Sequence, residues 1–261
     1  MACVDAATAV PVSDSPLLTN VEPRHAPQYA AHVAAAAPPP ACDPTGNPTC
    51  AKERTTFLID FDDCLFPTSA LASGAGGVLN SLRLGAAPAV LPAGLATALA
   101  SLDVAAVRAL THSVAAAREG AVVIVTNSAL GWVNAATTAL LPRLAEYIAA
   151  ARIPVVSARH AYGAHFPRDV GRWKVHAFHD QLRRLYPSWR GANLLALGDG
   201  MADLTAATDA CASMSNCYVK GVKFLGAPSV AQLDRQLGVF VENLPVLVDY
   251  AASFRVCMAA S

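Results

Sequence analysis

Four short stretches of this chain carry side chains that could do chemistry together. The first, Phe57-Leu58-Ile59-Asp60-Phe61-Asp62-Asp63-Cys64-Leu65, runs from an apolar segment straight into three carboxylates. Like charges crowded in this way repel and shift one another's pKa, so the arrangement calls for a cation to offset them. A second acidic stretch, Gly198-Asp199-Gly200-Met201-Ala202-Asp203, lies far downstream. Asp199 and Asp203, with Asp60, could supply the hard oxygen ligands that Mg²⁺ prefers. Between them, Val122-Val123-Ile124-Val125 ends in Thr126-Asn127-Ser128. The Thr126 hydroxyl and the amides after it, Asn127 included, could hydrogen-bond a phosphate oxygen. Lys174, near the start of a helical stretch, could add a compact positive charge.

Each stretch falls where an element should end or begin. Short apolar runs alternate with helical patterns: strands over 56–60, 121–126, 154–158, 192–197 and 217–224, and helices over about 102–118, from 129, 169–186 and 201–213. Continuous apolar runs suit strands buried on both faces. Alternating strands and helices predict a doubly wound, Rossmann-like α/β fold with a mostly parallel sheet. Ligands in that architecture sit beyond the carboxyl ends of the strands, which is where Asp60, Thr126, Ser157-Ala158-Arg159 and Asp199 are expected.

Together these residues resemble the haloacid dehalogenase (HAD) superfamily. Asp60-Phe61-Asp62-Asp63-Cys64-Leu65 looks like its DxDx(T/V)L motif, with Cys64 departing from the usual Thr or Val. The run ending at Thr126, Lys174 and the Gly198–Asp203 stretch are similar to the three later motifs, in the family's order. The resemblance implies an Mg²⁺-dependent phosphohydrolase acting on a phosphomonoester. Asp60 would be the nucleophile, forming an aspartyl-phosphate, and Asp62 the general acid and base. Mg²⁺ would be held by the Asp60 carboxylate, the Asp62 main-chain carbonyl, Asp199 and Asp203. Thr126, Asn127 and Lys174 would hold the substrate phosphate, and Asp63 would have no chemical role. The alternative is a non-catalytic phosphate-binding or interaction protein that keeps the fold.

Composition sets the limits of these readings. The chain has 261 residues, with 19 Lys and Arg against 19 Asp and Glu. It therefore has no net field to draw nucleic acid or an anionic membrane. Two uncharged runs, 84–102 and 121–142, reach spanning length, but Pro and Gly break the first and polar residues break the second; neither is expected to cross a membrane. No cleavable signal is evident, and the seven cysteines are odd in number and scattered. Reduced thiols and a cytoplasmic location are expected, with organelle targeting and a role for Cys42 and Cys50 left open. Residues 1–53, rich in Ala and Pro, are expected to form a disordered tail, and 54–261 a single HAD-like catalytic domain.

Other features are weighed against plainer readings. His176 and His179 read as helical surface histidines rather than metal ligands. Arg159 suits either a substrate anion or a surface ion pair. Trp132, Trp173 and Trp189 are spaced too irregularly for a stacking platform and read as core or rim. Neither inter-motif gap holds a sizeable cap domain, so the site should be open. In similar proteins, openness goes with phosphoprotein substrates or with lids lent by a homo-oligomer.

Overall fold

The apolar runs form the strands, and the computed structural model describes residues 54–74, 79 and 91–258. The expected tail, Cys42, Cys50 and most of the gap after the first acidic stretch lie outside the described residues. Strand β1 (Thr55–Ile59) leads through α1 (Thr68–Gly74) to a long helix, α2 (Ala93–Ala117). Then come β2 (Ala121–Thr126), α3 (Trp132–Leu140), α4 (Pro142–Ala150) and β3 (Val155–Ser157). The chain continues with α5 (Ala158–Tyr162), α6 (Val170–Leu185), β4 (Asn193–Gly198) and α7 (Met201–Ala210). It closes with β5 (Tyr218–Lys223), α8 (Val230–Asp249) and β6 (Phe254–Cys257).

Six strands form one sheet in the order β3-β2-β1-β4-β5-β6, and every pair is parallel. The chain moves outward from β1 through β2 to β3, then returns to the other side of β1 with β4. The crevice between β1 and β4 is therefore a topological switch point, the place where such sheets bind ligands. Ile59 is level with Ile124 on one side and Leu197 on the other. The residues following these strands are thus delivered to a common edge.

Alternate side chains build two cores. Phe57 and Ile59 point into a layer containing α2, α3, α4 and α8, while Leu58 points to the opposite layer with α6 and α7. The site depends on both layers.

Three expectations about elements are corrected. The helix expected from 102 begins at Ala93, directly after Pro92. Pro suits a helix entrance, and the Ala- and Leu-rich sequence behind it is strongly helix-forming. By length and composition this helix could cross a membrane. In the fold it packs against α8 and buries Leu99, Leu102, Ala106 and Leu110. Its buried Asp103 accepts the backbone N–H groups of Arg143 (3.0 Å) and Leu144 (2.8 Å) at the start of α4. Second, the strand expected over 154–158 stops at Ser157, whose hydroxyl accepts the His160 N–H and starts α5. Third, the elements do not end with the strand expected over 217–224: α8 and β6 follow it. In β6, buried and half-buried residues alternate over only four positions, a weak signal.

Candidate active site

The peptide after β1 is folded into one tight turn. The Phe61 carbonyl accepts from the N–H groups of Cys64, Leu65 and Phe66, and Asp63 adopts the left-handed conformation (φ 55°). Asp is one of the few residues that visits that region readily. Phe61 and Phe66 stack behind the turn with centroids 5.3 Å apart, and Trp132 meets Phe66 edge-on at 5.9 Å. This apolar backing fixes the direction of the three acids, and each goes a different way.

Asp60 points into the crevice. Its Oδ1 accepts the Phe61 N–H at 2.7 Å and its Oδ2 lies 2.8 Å from Lys174 Nζ. Lys174 reaches it because α6 buries Lys174, Ala177, Phe178 and Leu182 on one face, the i, i+3, i+4 and i+8 positions of a helix. The same ammonium is 2.5 Å from Asp203 Oδ1, while Asp203 Oδ2 accepts the Gly200 N–H at 3.3 Å. Gly198 makes this approach possible: a Cβ there would sit 2.4 Å from Asp203 Oδ2. Asp199 is half-buried and has no hydrogen bond or ion pair among the described residues. Oxygens of Asp60, Asp199 and Asp203 all lie within 4.8 Å of one another.

Asp60 and Asp203 therefore share one ammonium, and Asp199 feels Lys174 and Lys223 only at longer range. Burial pushes the Asp60 carboxyl up to about 7; Lys174 opposes this, and Asp203 and Asp62 add to it. Burial and the charges of Asp203 and Asp63 raise Asp199 to about 6. Burial alone would lower Lys174, but Asp60 and Asp203 outweigh it and the net direction is upward. A raised lysine and a raised aspartate in one ion pair look contradictory. They are reconciled by the count: Lys174 is held by two acids at once, while Asp60 is buried and carries the repulsion of its neighbours. A cluster this short of positive charge, built from hard oxygens, fits a divalent cation.

Asp62 is turned away from the cluster. Its Oδ1 accepts from the Thr68 hydroxyl (2.5 Å) and the Trp132 indole N–H (2.9 Å). Its Oδ2 accepts from the hydroxyls of Thr126 (3.0 Å) and Ser128 (2.7 Å). Thr126 also accepts the Ser128 N–H at 2.9 Å, so the hydroxyl expected to meet phosphate directly is engaged in orienting Asp62. Asn127 Oδ1 is buried with no partner among the described residues. As an acceptor it suits a donor rather than an ionised phosphate oxygen. Asp63 holds the start of α1, accepting both the backbone N–H (2.9 Å) and the hydroxyl of Ser69.

The fold thus brings Asp60, Asp62, Thr126, Asn127, Lys174, Asp199 and Asp203 to one edge. Thr68, Ser128 and Trp132 were not singled out for the site. Trp132 lies 70 positions from Asp62, and only its place after the Thr126 strand end hinted at a role. Cys64 is fully buried, and burial, with Asp60, Asp199 and Asp203 nearby, raises its thiol well above the ordinary value. It packs as a small apolar residue. His176 stacks on Phe166 at 4.6 Å and His179 lies against Trp189, so neither joins a metal cluster among the described residues. Arg159 is exposed and has no ion pair among those residues. Compared with protein-family models, curated proteins and solved structures, the chain matches none.

Proposed function

We propose that this protein is a phosphomonoester hydrolase of HAD type, dependent on Mg²⁺, with Asp60 as nucleophile. One observation carries the reading. At the switch point of a parallel sheet, three carboxylates converge and a single lysine bridges two of them. Asp60, Asp199 and Asp203 would hold the cation through side-chain oxygens. When bound, a dication neutralises negative charge on a transferring phosphoryl group.

The remaining chemistry belongs to the chain. Asp60 is held by the Phe61 N–H and the Lys174 ammonium, so its carboxylate is oriented before substrate arrives. Its oxygen attacks phosphorus, forming an acyl-phosphate as the alcohol leaves. Lys174 remains within reach of the displaced charge. Asp62 protonates the leaving oxygen and then takes a proton from the water that opens the acyl-phosphate. Three of its four donors are hydroxyls that can rotate. Asp62 can therefore hold a proton while the Trp132 N–H keeps its orientation.

Those same four donors favour a second reading, in which a fully engaged Asp62 never acts and the protein binds phosphate without turning it over. Turnover of an aryl phosphate, measured with and without Mg²⁺ for wild type, Asp60→Asn and Asp62→Asn, separates the two. Metal-dependent hydrolysis abolished by Asp60→Asn is expected. Mg²⁺-dependent phosphate binding without hydrolysis would establish the second reading instead.

A further inference from the structure

A cavity of about 450 Å³ lies between β3, at the edge of the sheet, and the helices α3 and α4. One end touches Thr126 and Ser157, the paired last residues of β2 and β3. The other end reaches Arg152. Thr126 belongs to both places: it lines the cavity, and its hydroxyl contacts Asp62. Thr126 is therefore shared by the cavity and the proposed site.

Its chemistry is selective. Val133, Ala145 and Ile148 form apolar walls, and Leu130 and Val155 at its rim remain 65% and 40% exposed. Large apolar side chains left open around a concavity mark a surface that binds something. The wall hydroxyls are already engaged. Thr137 donates to the Val133 carbonyl (2.8 Å) and Ser157 to the Ser128 carbonyl (2.7 Å). Asn134 and Arg152 also line the cavity and are exposed, but the walls formed by Val133, Ala145 and Ile148 offer little to a sugar or a nucleoside, whose hydroxyls would lose water there without gaining partners.

We propose that this cavity receives the alcohol portion of the substrate, and that the protein selects phosphomonoesters of apolar alkyl or aryl alcohols. This rests on the hydrolase reading above. The test compares n-alkyl phosphates from methyl to octyl as substrates, with Mg²⁺. In parallel, affinities for methyl and octyl phosphonate, which cannot be hydrolysed, are measured by calorimetry. Wild type and two cavity-filling variants are used: Ala145→Phe in the wall and Ala149→Phe, an exposed position on the rim. In wild type, kcat/KM should rise about threefold to fourfold per methylene and then level off as the cavity fills. Both variants should lose about tenfold or more of the octyl preference while methyl phosphate turnover stays within about twofold. Rates and phosphonate affinities that ignore chain length would overturn the cavity assignment and leave the hydrolase reading intact. Should no ester be hydrolysed, the hydrolase reading fails. The phosphonates then decide the cavity alone: tighter octyl binding that both variants abolish supports it, and equal affinities overturn it.

Discussion

Replacing Asp60 with Asn should make the cation-free protein more stable at neutral pH, although it removes the nucleophile. In the folded chain Asp60 ionises at about 7, against an ordinary value of 3.8, because it is buried beside two other acids with one lysine among them. The folded-state value is the higher one, so the native chain keeps a proton that the unfolded chain has lost. The stability this group contributes is fully present below about pH 4 and is lost as pH rises through 7. At 1.36 kcal/mol per tenfold, the loss is on the order of 4 kcal/mol. Asn resembles the protonated acid in shape and does not titrate. Urea unfolding in chelator should therefore favour the variant by about 1–2 kcal/mol at pH 5 and by about 4 kcal/mol at pH 8. Added Mg²⁺ should raise wild type more than the variant at pH 8. Titrating groups outside the cluster are common to both proteins and cancel in the difference. A variant less stable than wild type at both pH values would refute the reasoning, since the cluster would then hold no unbalanced charge for a cation to relieve.

Three further outcomes follow from the same geometry. Trp132→Phe keeps the ring contact with Phe66 but removes the N–H on Asp62; turnover should fall roughly tenfold and stability, by thermal unfolding, by about 1–2 kcal/mol. Gly198→Ala forces Asp203 away, so it should destabilise by about 1–3 kcal/mol and weaken Mg²⁺ binding in a calorimetric titration. Asp63→Asn keeps an acceptor for the Ser69 N–H and tolerates the left-handed backbone, so turnover should stay within a few-fold; Asp63→Ala, measured by thermal unfolding, should cost about 1–2 kcal/mol.

Much of this was legible in the sequence, for a physical reason. A strand buried on both faces must be apolar throughout, so the run Val122–Val125 announces itself, and a parallel sheet sends every strand's carboxyl end to one edge. Asp60, Thr126 and Asp199 can thus be placed together from the sequence. Lys174 followed because a helix returning to the sheet starts near that edge. What stayed hidden depends on side-chain direction and long-range contact. Asp62 sits two residues from Asp60, yet it faces Thr68, Ser128 and Trp132 rather than the acid cluster. Composition alone could not say so, because the turn that splits them depends on Asp63 and on the stacking of Phe61 with Phe66. The early start of α2 has no clear sequence mark, because an Ala-rich stretch behind prolines reads equally as loop or helix. The cavity beside β3 had no sequence signature, since its wall residues are ordinary core types.

The central claim is that Asp60 carries the phosphoryl group during turnover. The most direct test is acid quenching of the protein during hydrolysis of an aryl phosphate with Mg²⁺, followed by peptide mass analysis. A single phosphoryl group on the peptide containing Asp60, lost on hydroxylamine treatment and absent from Asp60→Asn, is the expected result. Steady hydrolysis with no acyl-phosphate on that peptide, or with undiminished turnover by Asp60→Asn, would contradict it.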